Sequence, residues 1–256
     1  MALFERKYCD ICGEKVGVFG GTKVKDGRLC KNCAGKLSPW FTGYGNLTLD
    51  EIKEHLAYRE ENKEKVKNFN ITHVIGGNYQ KLYIDAESKR FIISANSNWR
   101  NGNPDILSFD QIIDSDLKIN ETKKELMKKD ENGKDVSYNP KRYEYSYNFF
   151  VNLALNSPWF NTVSIKVNNS SIDGYDNDEY EEAYLNSEAI SEVLAILKDG
   201  GDREELDNTI NYYKDLLATP RHVYDKNYHY YQNDRSYSKG RDYYVSRDPR
   251  RNHFRF

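Results

Sequence analysis

Tyr143-Glu-Tyr-Ser-Tyr-Asn-Phe-Phe-Val-Asn-Leu-Ala-Leu155 is the most regular stretch of the chain. Tyr143, Tyr145, Tyr147, Phe149, Val151, Leu153 and Leu155 fall on one side, and Glu144, Ser146, Asn148, Asn152 and Asn156 on the other. A period of two held over this length predicts a long antiparallel strand buried on one face. Val163, Ile165 and Val167 repeat the alternation beyond the turn at Ser157-Pro158. The strand accounts for several of the 21 tyrosines, which outnumber 11 Phe and 3 Trp, as core-facing residues.

Working outward, Lys81–Asp85 and Arg90–Ser94 flank Ala-Glu-Ser-Lys, a hairpin-length connection. Asn132-Gly133 between Lys123–Lys129 and Asp135–Tyr138 is the strongest short hairpin signal. After a loop from Asn169 to Asp178, a helix is predicted from about Tyr180 to Lys198. Ile190, Val193, Leu194 and Leu197 form its apolar stripe, and Asp199-Gly200 ends it. A second helix starts at Asp202, carries Leu206, Ile210, Tyr213 and Leu217, and stops at Pro220.

The four cysteines fall at the other end of the chain, as Cys9-Asp-Ile-Cys12 and Cys30-Lys-Asn-Cys33. This pattern has the spacing of a four-cysteine zinc site, in which two knuckles aim thiolates at one ion. Gly13 follows the first pair, where a knuckle turn tends to need positive φ. Gly17, Gly20-Gly21 and Asp26-Gly27 punctuate one or two small hairpins between the pairs. Two disulfides would need export, and a thioredoxin-like pair would need a single motif beside a βαβ unit. The expectation is one structural Zn²⁺ held by Cys9, Cys12, Cys30 and Cys33, supplying most of the folding energy of a module with little core. Lys7, Lys15, Arg28, Lys31 and Lys36 would offset the thiolate charge, or equally form a nucleic-acid footprint.

Tyr8-Cys9-Asp10-Ile11-Cys12-Gly13 and Leu29-Cys30-Lys31-Asn32-Cys33, running into Lys36-Leu37-Ser38-Pro39-Trp40-Phe41, resemble the opening of bacterial proteins catalogued as domain of unknown function 4428. The following helix, with Ala57-Tyr58-Arg59-Glu60-Glu61-Asn62, is similar too, and the resemblance covers about the first 70 residues. It implies a zinc-binding head in a cytoplasmic bacterial or phage protein, and no activity.

Thr48-Leu-Asp-Glu51 is a capping-box pattern that starts this helix, which runs to about Phe69. Leu49, Ile52 and Leu56 share a face that is expected to pack on the zinc head. Residues 59–67 are almost wholly polar, with Glu61 and Lys65 four apart, and are expected to bridge outward as a solvated connector.

Roughly seven strands followed by an amphipathic helix is the element order of a pleckstrin-homology-like (PH-like, GRAM-like) barrel. The fold class is therefore α+β: a zinc-ribbon or treble-clef-like head at 1–45, a helical connector at 46–77, a PH-like antiparallel β domain with its C-terminal helix at 78–199, and a short helix at 200–218. Lipid binding does not follow, because the first hairpin offers only Lys89 and Arg90 beside Asp85 and Glu87.

Residues 219–256 differ in kind, with nine Lys or Arg against four Asp, seven Tyr and almost no aliphatic side chains. Such a tail cannot bury enough surface to offset its ordering entropy and is expected to be disordered in isolation. It is basic while the remainder is acidic, so the formal net charge of −2 conceals an asymmetry. Arg235, Arg241, Arg247, Arg250 and Arg251, interleaved with tyrosines, could stack on nucleic-acid bases.

With 38% hydrophobic and 30% charged residues and no apolar run near eighteen, a spanning helix is not expected. Met-Ala-Leu-Phe-Glu-Arg-Lys lacks the apolar core of a signal peptide, so a cytoplasmic location is expected. No nucleotide, hydrolase or metalloprotease motif occurs, and His55, His73, His222, His229 and His253 are scattered; His73 reads as a loop residue. The expected protein is a non-catalytic zinc-binding adaptor or regulator that binds another protein through its β domain or zinc head. The alternative is a nucleic-acid binder using the head and the tail.

Overall fold

Asp26-Gly27 reverses the chain between two short strands, Thr22–Val24 (β1) and Gly27–Leu29 (β2), and the hairpin leads into a one-turn helix, Lys31–Ala34 (α1). The computed structural model describes residues 7–17, 21–175 and 177–219. The elements below all belong to one compact unit that ends at Ala218. None of the described helices is long and apolar enough to cross a membrane.

Leu49–Lys67 (α2) begins at the predicted cap. Thr48 Oγ1 accepts from the Glu51 N–H at 3.3 Å, and the Glu51 carboxylate accepts from the Thr48 N–H at 2.8 Å. Its polar second half is not the solvated connector expected from the sequence. Ile52, His55, Arg59, Asn62 and Val66 recur at three- and four-residue intervals, and all five are buried. A search for apolar spacing misses this stripe because its middle members are polar.

The reason for the burial lies in the next four strands, His73–Ile75 (β3), Lys81–Asp85 (β4), Arg90–Ser94 (β5) and Leu107–Ser108 (β6), which form an antiparallel sheet in that order. The β4–β5 hairpin falls on the predicted residues. Leu82, Ile84, Phe91 and Ile93 enter the main core, whereas Tyr83 and Ile92 meet Val66, Phe69, Trp99 and Ile106 on the other side. The end of α2 thus covers the second face of this sheet. His73, expected in a loop, lies on β3.

Six further strands follow: Ile112–Glu125 (β7), Met127–Lys129 (β8), Asp135–Ser137 (β9), Tyr143–Leu155 (β10), Thr162–Lys166 (β11) and Ile172–Asp173 (β12). The strand read from its alternation, β10, is the spine of the second sheet. It pairs with β7 along one edge and with β11 and β12 on the other. Tyr147, Phe149, Val151, Leu153 and Leu155 are buried as predicted. Tyr143 is not: it is 37% exposed. At that end β10 pairs with β7 alone, and the two strands run on toward the β8–β9 turn with no core beneath them. There Lys123 Nζ sits 3.9 Å from the centre of the Tyr143 ring. Most of β7 is unreadable from sequence because only Ile112 of its residues is buried.

Two helices close the unit, Asp178–Lys198 (α3) and Arg203–Ala218 (α4). Asn177 caps α3 by accepting from the Tyr180 N–H at 2.8 Å. Ile190, Val193, Leu194 and Leu197 are buried in one core with residues of both sheets, and Leu206, Ile210 and Tyr213 of α4 join it; Leu217 is half-buried. His73 Nε2 lies 2.8 Å from Asp207 Oδ1 of α4, pinning that helix to β3. Gly201, between the two helices, has φ +71°, and a Cβ there would stand 2.5 Å from Phe109 Cε2. Gly201→Ala is therefore expected to lower stability by about 2 kcal/mol in a urea titration, from left-handed strain and overpacking together. An unchanged midpoint would contradict this.

Candidate metal centre

The first knuckle is built by backbone hydrogen bonds. The Gly13 N–H donates to Cys9 O at 2.8 Å, the Cys9 N–H donates to Glu14 O at 2.8 Å, and Gly13 adopts φ +71° as its position after the pair requires. Asp10 ties the knuckle to the hairpin, its Oδ2 accepting from the Arg28 N–H at 2.7 Å. The second knuckle is the start of α1. Cys30 is its N-cap, with Sγ accepting from the Cys33 N–H at 3.4 Å, and the Ala34 N–H donates to Cys30 O at 3.0 Å.

These two turns bring all four sulfurs together. The Sγ atoms of Cys9, Cys12, Cys30 and Cys33 lie within 4.8 Å of one another, and those of Cys12 and Cys30 are 3.6 Å apart. Thiolates about 2.3 Å from one ion stand roughly 3.8 Å apart in a tetrahedron, whereas a disulfide needs about 2.05 Å. All four cysteines are free, so the arrangement fits a single tetrahedral metal ion. Cys12 is exposed and the other three are buried. Among the described residues this is the one group of three or more Cys, His, Asp or Glu placed to hold a metal.

The sulfurs are not equivalent. Burial opposes ionisation of Cys9, but N–H groups of Cys30, Cys12 and Ile11 converge on it and hold its pKa down to about 6. Burial, followed by the neighbouring thiols of Cys12, Cys30 and Cys9, pushes Cys33 well above the ordinary thiol range. A metal ion entering this cluster would displace protons, so affinity should rise with pH.

Sequence reasoning missed the residues that join this head to the rest of the unit. Asp105 is the hub. Its Oδ2 accepts from Ser38 Oγ at 2.7 Å, and its Oδ1 accepts from Arg59 Nη1 at 2.6 Å and Tyr58 OH at 3.3 Å. Arg59 also donates to the backbone oxygens of Lys36 and Asn103. Asn62 donates to Pro104 O at 2.6 Å and accepts from the Ile106 N–H at 3.0 Å. Beside this network, Phe41 stacks on His55 with ring centres 3.9 Å apart, and Trp159 meets both edge-on. Trp159 packs against the head core and the main core alike. The three-and-four spacing through 52, 55, 59, 62 and 66 was the signal available for Arg59 and Asn62. Nothing local marks Asp105 or Trp159.

A cleft of about 290 Å³ opens next to the hub, between Pro39 and Trp40 on one side and Ile93, Trp99 and Pro104 on the other. Among the described residues, Asp105 is the only one lining the cleft that ionises, and it is committed to Arg59. The basic tail from 220 onward, with Arg235, Arg241, Arg247, Arg250 and Arg251, lies outside the described residues.

Comparison with known proteins agrees with the position of the cluster. Neither the curated proteins nor the solved structures contain a match to this chain. Residues 7–55, which carry all four cysteines and the start of α2, match the family described as Domain of unknown function (DUF4428).

Proposed function

We propose that this protein is a non-catalytic zinc-binding adaptor that engages another protein through its β body. The observation that carries the reading is the closed donor set: four sulfurs complete the tetrahedron that zinc prefers and leave no position for water or substrate. The ion would be structural, binding to Cys9, Cys12, Cys30 and Cys33 and ordering a head whose strands span three residues each. Free thiols suit a reducing, cytoplasmic compartment. The body reads as PH-like: two antiparallel sheets followed by a helix packed on the second. Acid–base chemistry needs convergent ionisable groups, and the cleft presents only Asp105. Its aromatic and proline walls suit a protein ligand better than a charged metabolite.

Full-length protein purified without chelator should carry about one zinc per chain by elemental analysis. Used as bait in a lysate of its native host, it should retain a protein that resists nuclease and moderate salt and is lost with Trp40→Ala. Metal-free protein in reducing buffer would sink the zinc assignment.

A second reading, nucleic-acid binding, is favoured by one feature of the head. Lys23 and Arg28 stand directly opposite each other on β1 and β2, which sets two basic side chains side by side on the head. Retention on nucleic acid that falls with salt and is lost on deleting 219–256 would support this reading over the first.

A further inference from the structure

We infer that metal occupancy of the four-cysteine head controls the cleft between Trp40 and Trp99, an inference that rests on the metal reading above. The nine residues from Cys33 to Phe41 carry the connection. Lys36 O accepts from Arg59 Nε at 3.3 Å, Ser38 Oγ donates to Asp105, and Leu37 and Phe41 are buried in the same small core as Cys9, Cys30 and Cys33. Pro39 and Trp40, within this segment, form one wall of the cleft.

The opposite wall depends on α2. Arg59 and Asn62 hold Asn103, Pro104 and Asp105, and Asn103 Nδ2 donates back to Arg59 O at 3.0 Å. The start of α2 is in turn held by the head: Asp26 Oδ1 accepts from the Leu49 N–H at 2.7 Å, and Ile52 is buried with the cysteines. Both walls therefore lead back to the metal cluster, one through the segment leaving Cys33 and one through the first turns of α2.

Two three-residue strands and a one-turn helix share only a small apolar core with the cysteines, so a bound ion would supply much of the head's folding energy. Metal loss would release Pro39 and Trp40, and it would remove Lys36 O from Arg59 and Ser38 from Asp105. Linkage makes the coupling reciprocal: the factor by which a bound ion stabilises the hub is the factor by which the intact hub strengthens ion binding.

The test uses the full chain with zinc alone as the probe. Zinc affinity is measured by chelator competition for wild type, Ser38→Ala and Asp105→Asn, and amide hydrogen exchange is followed with and without zinc. Zinc removal is expected to speed exchange at residues 99–106 tenfold or more while the centre of β10 stays protected. Both variants are expected to bind zinc at least about fivefold more weakly, the lower end of ordinary coupling. If Asp105→Asn does not fold, Ser38→Ala, which loses one hydroxyl, decides alone. Wild-type zinc affinity in a folded variant, or exchange at 99–106 indifferent to zinc, would overturn the inference while leaving the metal site standing. A wild-type chain that binds no zinc would overturn the metal reading itself.

Discussion

Asp105→Ala is expected to lower the unfolding free energy by roughly 3–5 kcal/mol, the usual cost of stranding a buried charge. The side chains of Arg59 and Asp105 are 7% and 1% exposed, so water cannot take over when the carboxylate is removed. Ser38 Oγ and Tyr58 OH lose their acceptor in the same step. The figure measures the cost of breaking the pair, not its net worth, because bringing both ions out of water was itself unfavourable. A paired apolar replacement, Arg59→Met with Asp105→Leu, should accordingly cost much less than Asp105→Ala alone. Urea titration of the three proteins separates the two quantities. A loss below 1 kcal/mol in Asp105→Ala would mean that the network is solvated.

Acid should weaken the fold through His55. Its ring is fully buried between Phe41 and Trp159, and neither nitrogen has a hydrogen-bond partner. Burial, and then the nearby Arg59 charge, lowers its pKa to about 4 from its ordinary value of 6.5. The folded state therefore refuses a proton that the unfolded chain accepts below about pH 6.5. Stability from this group is complete above that pH and declines as pH falls toward 4, by about 3 kcal/mol in all. Carboxylates and thiolates titrate across part of the same range, so the signature is a difference between proteins. His55→Phe, which keeps the stack on Phe41, should lose less stability than wild type between pH 7 and pH 4.5. Parallel pH profiles for the two proteins would show that His55 does not carry the effect.

Both predictions concern residues whose importance could not be read from their neighbours in sequence. The alternation in β10 and the spacing of Ile190, Val193, Leu194 and Leu197 were legible because apolar residues at the right period report a buried face directly. The cysteine spacing was legible because knuckle geometry is local: two residues between ligands suffice to aim both sulfurs. Arg59 and Asn62 carry the right helical period, yet their chemistry says solvent. The partners that make their burial tolerable, Asp105 and the backbone of 103–106, come from a distant loop. Tyr143 fails in the opposite sense, its apolar period continuing past the point where any core lies beneath it.

By itself, then, the sequence determined a set of local features: the four-cysteine cluster, the cap of α2, the spine strand and the stripes of α3 and α4. Each of these depends on backbone periodicity or on a turn of a few residues. Only the tertiary structure decided that the head is fastened to the β body and that a polar helix is its fastening. Burying Arg59 and Asp105 is tolerable only because they meet each other, and burying His55 only because its ring stays neutral. Such meetings depend on segments 40 or more positions apart, a matching that local pattern does not encode.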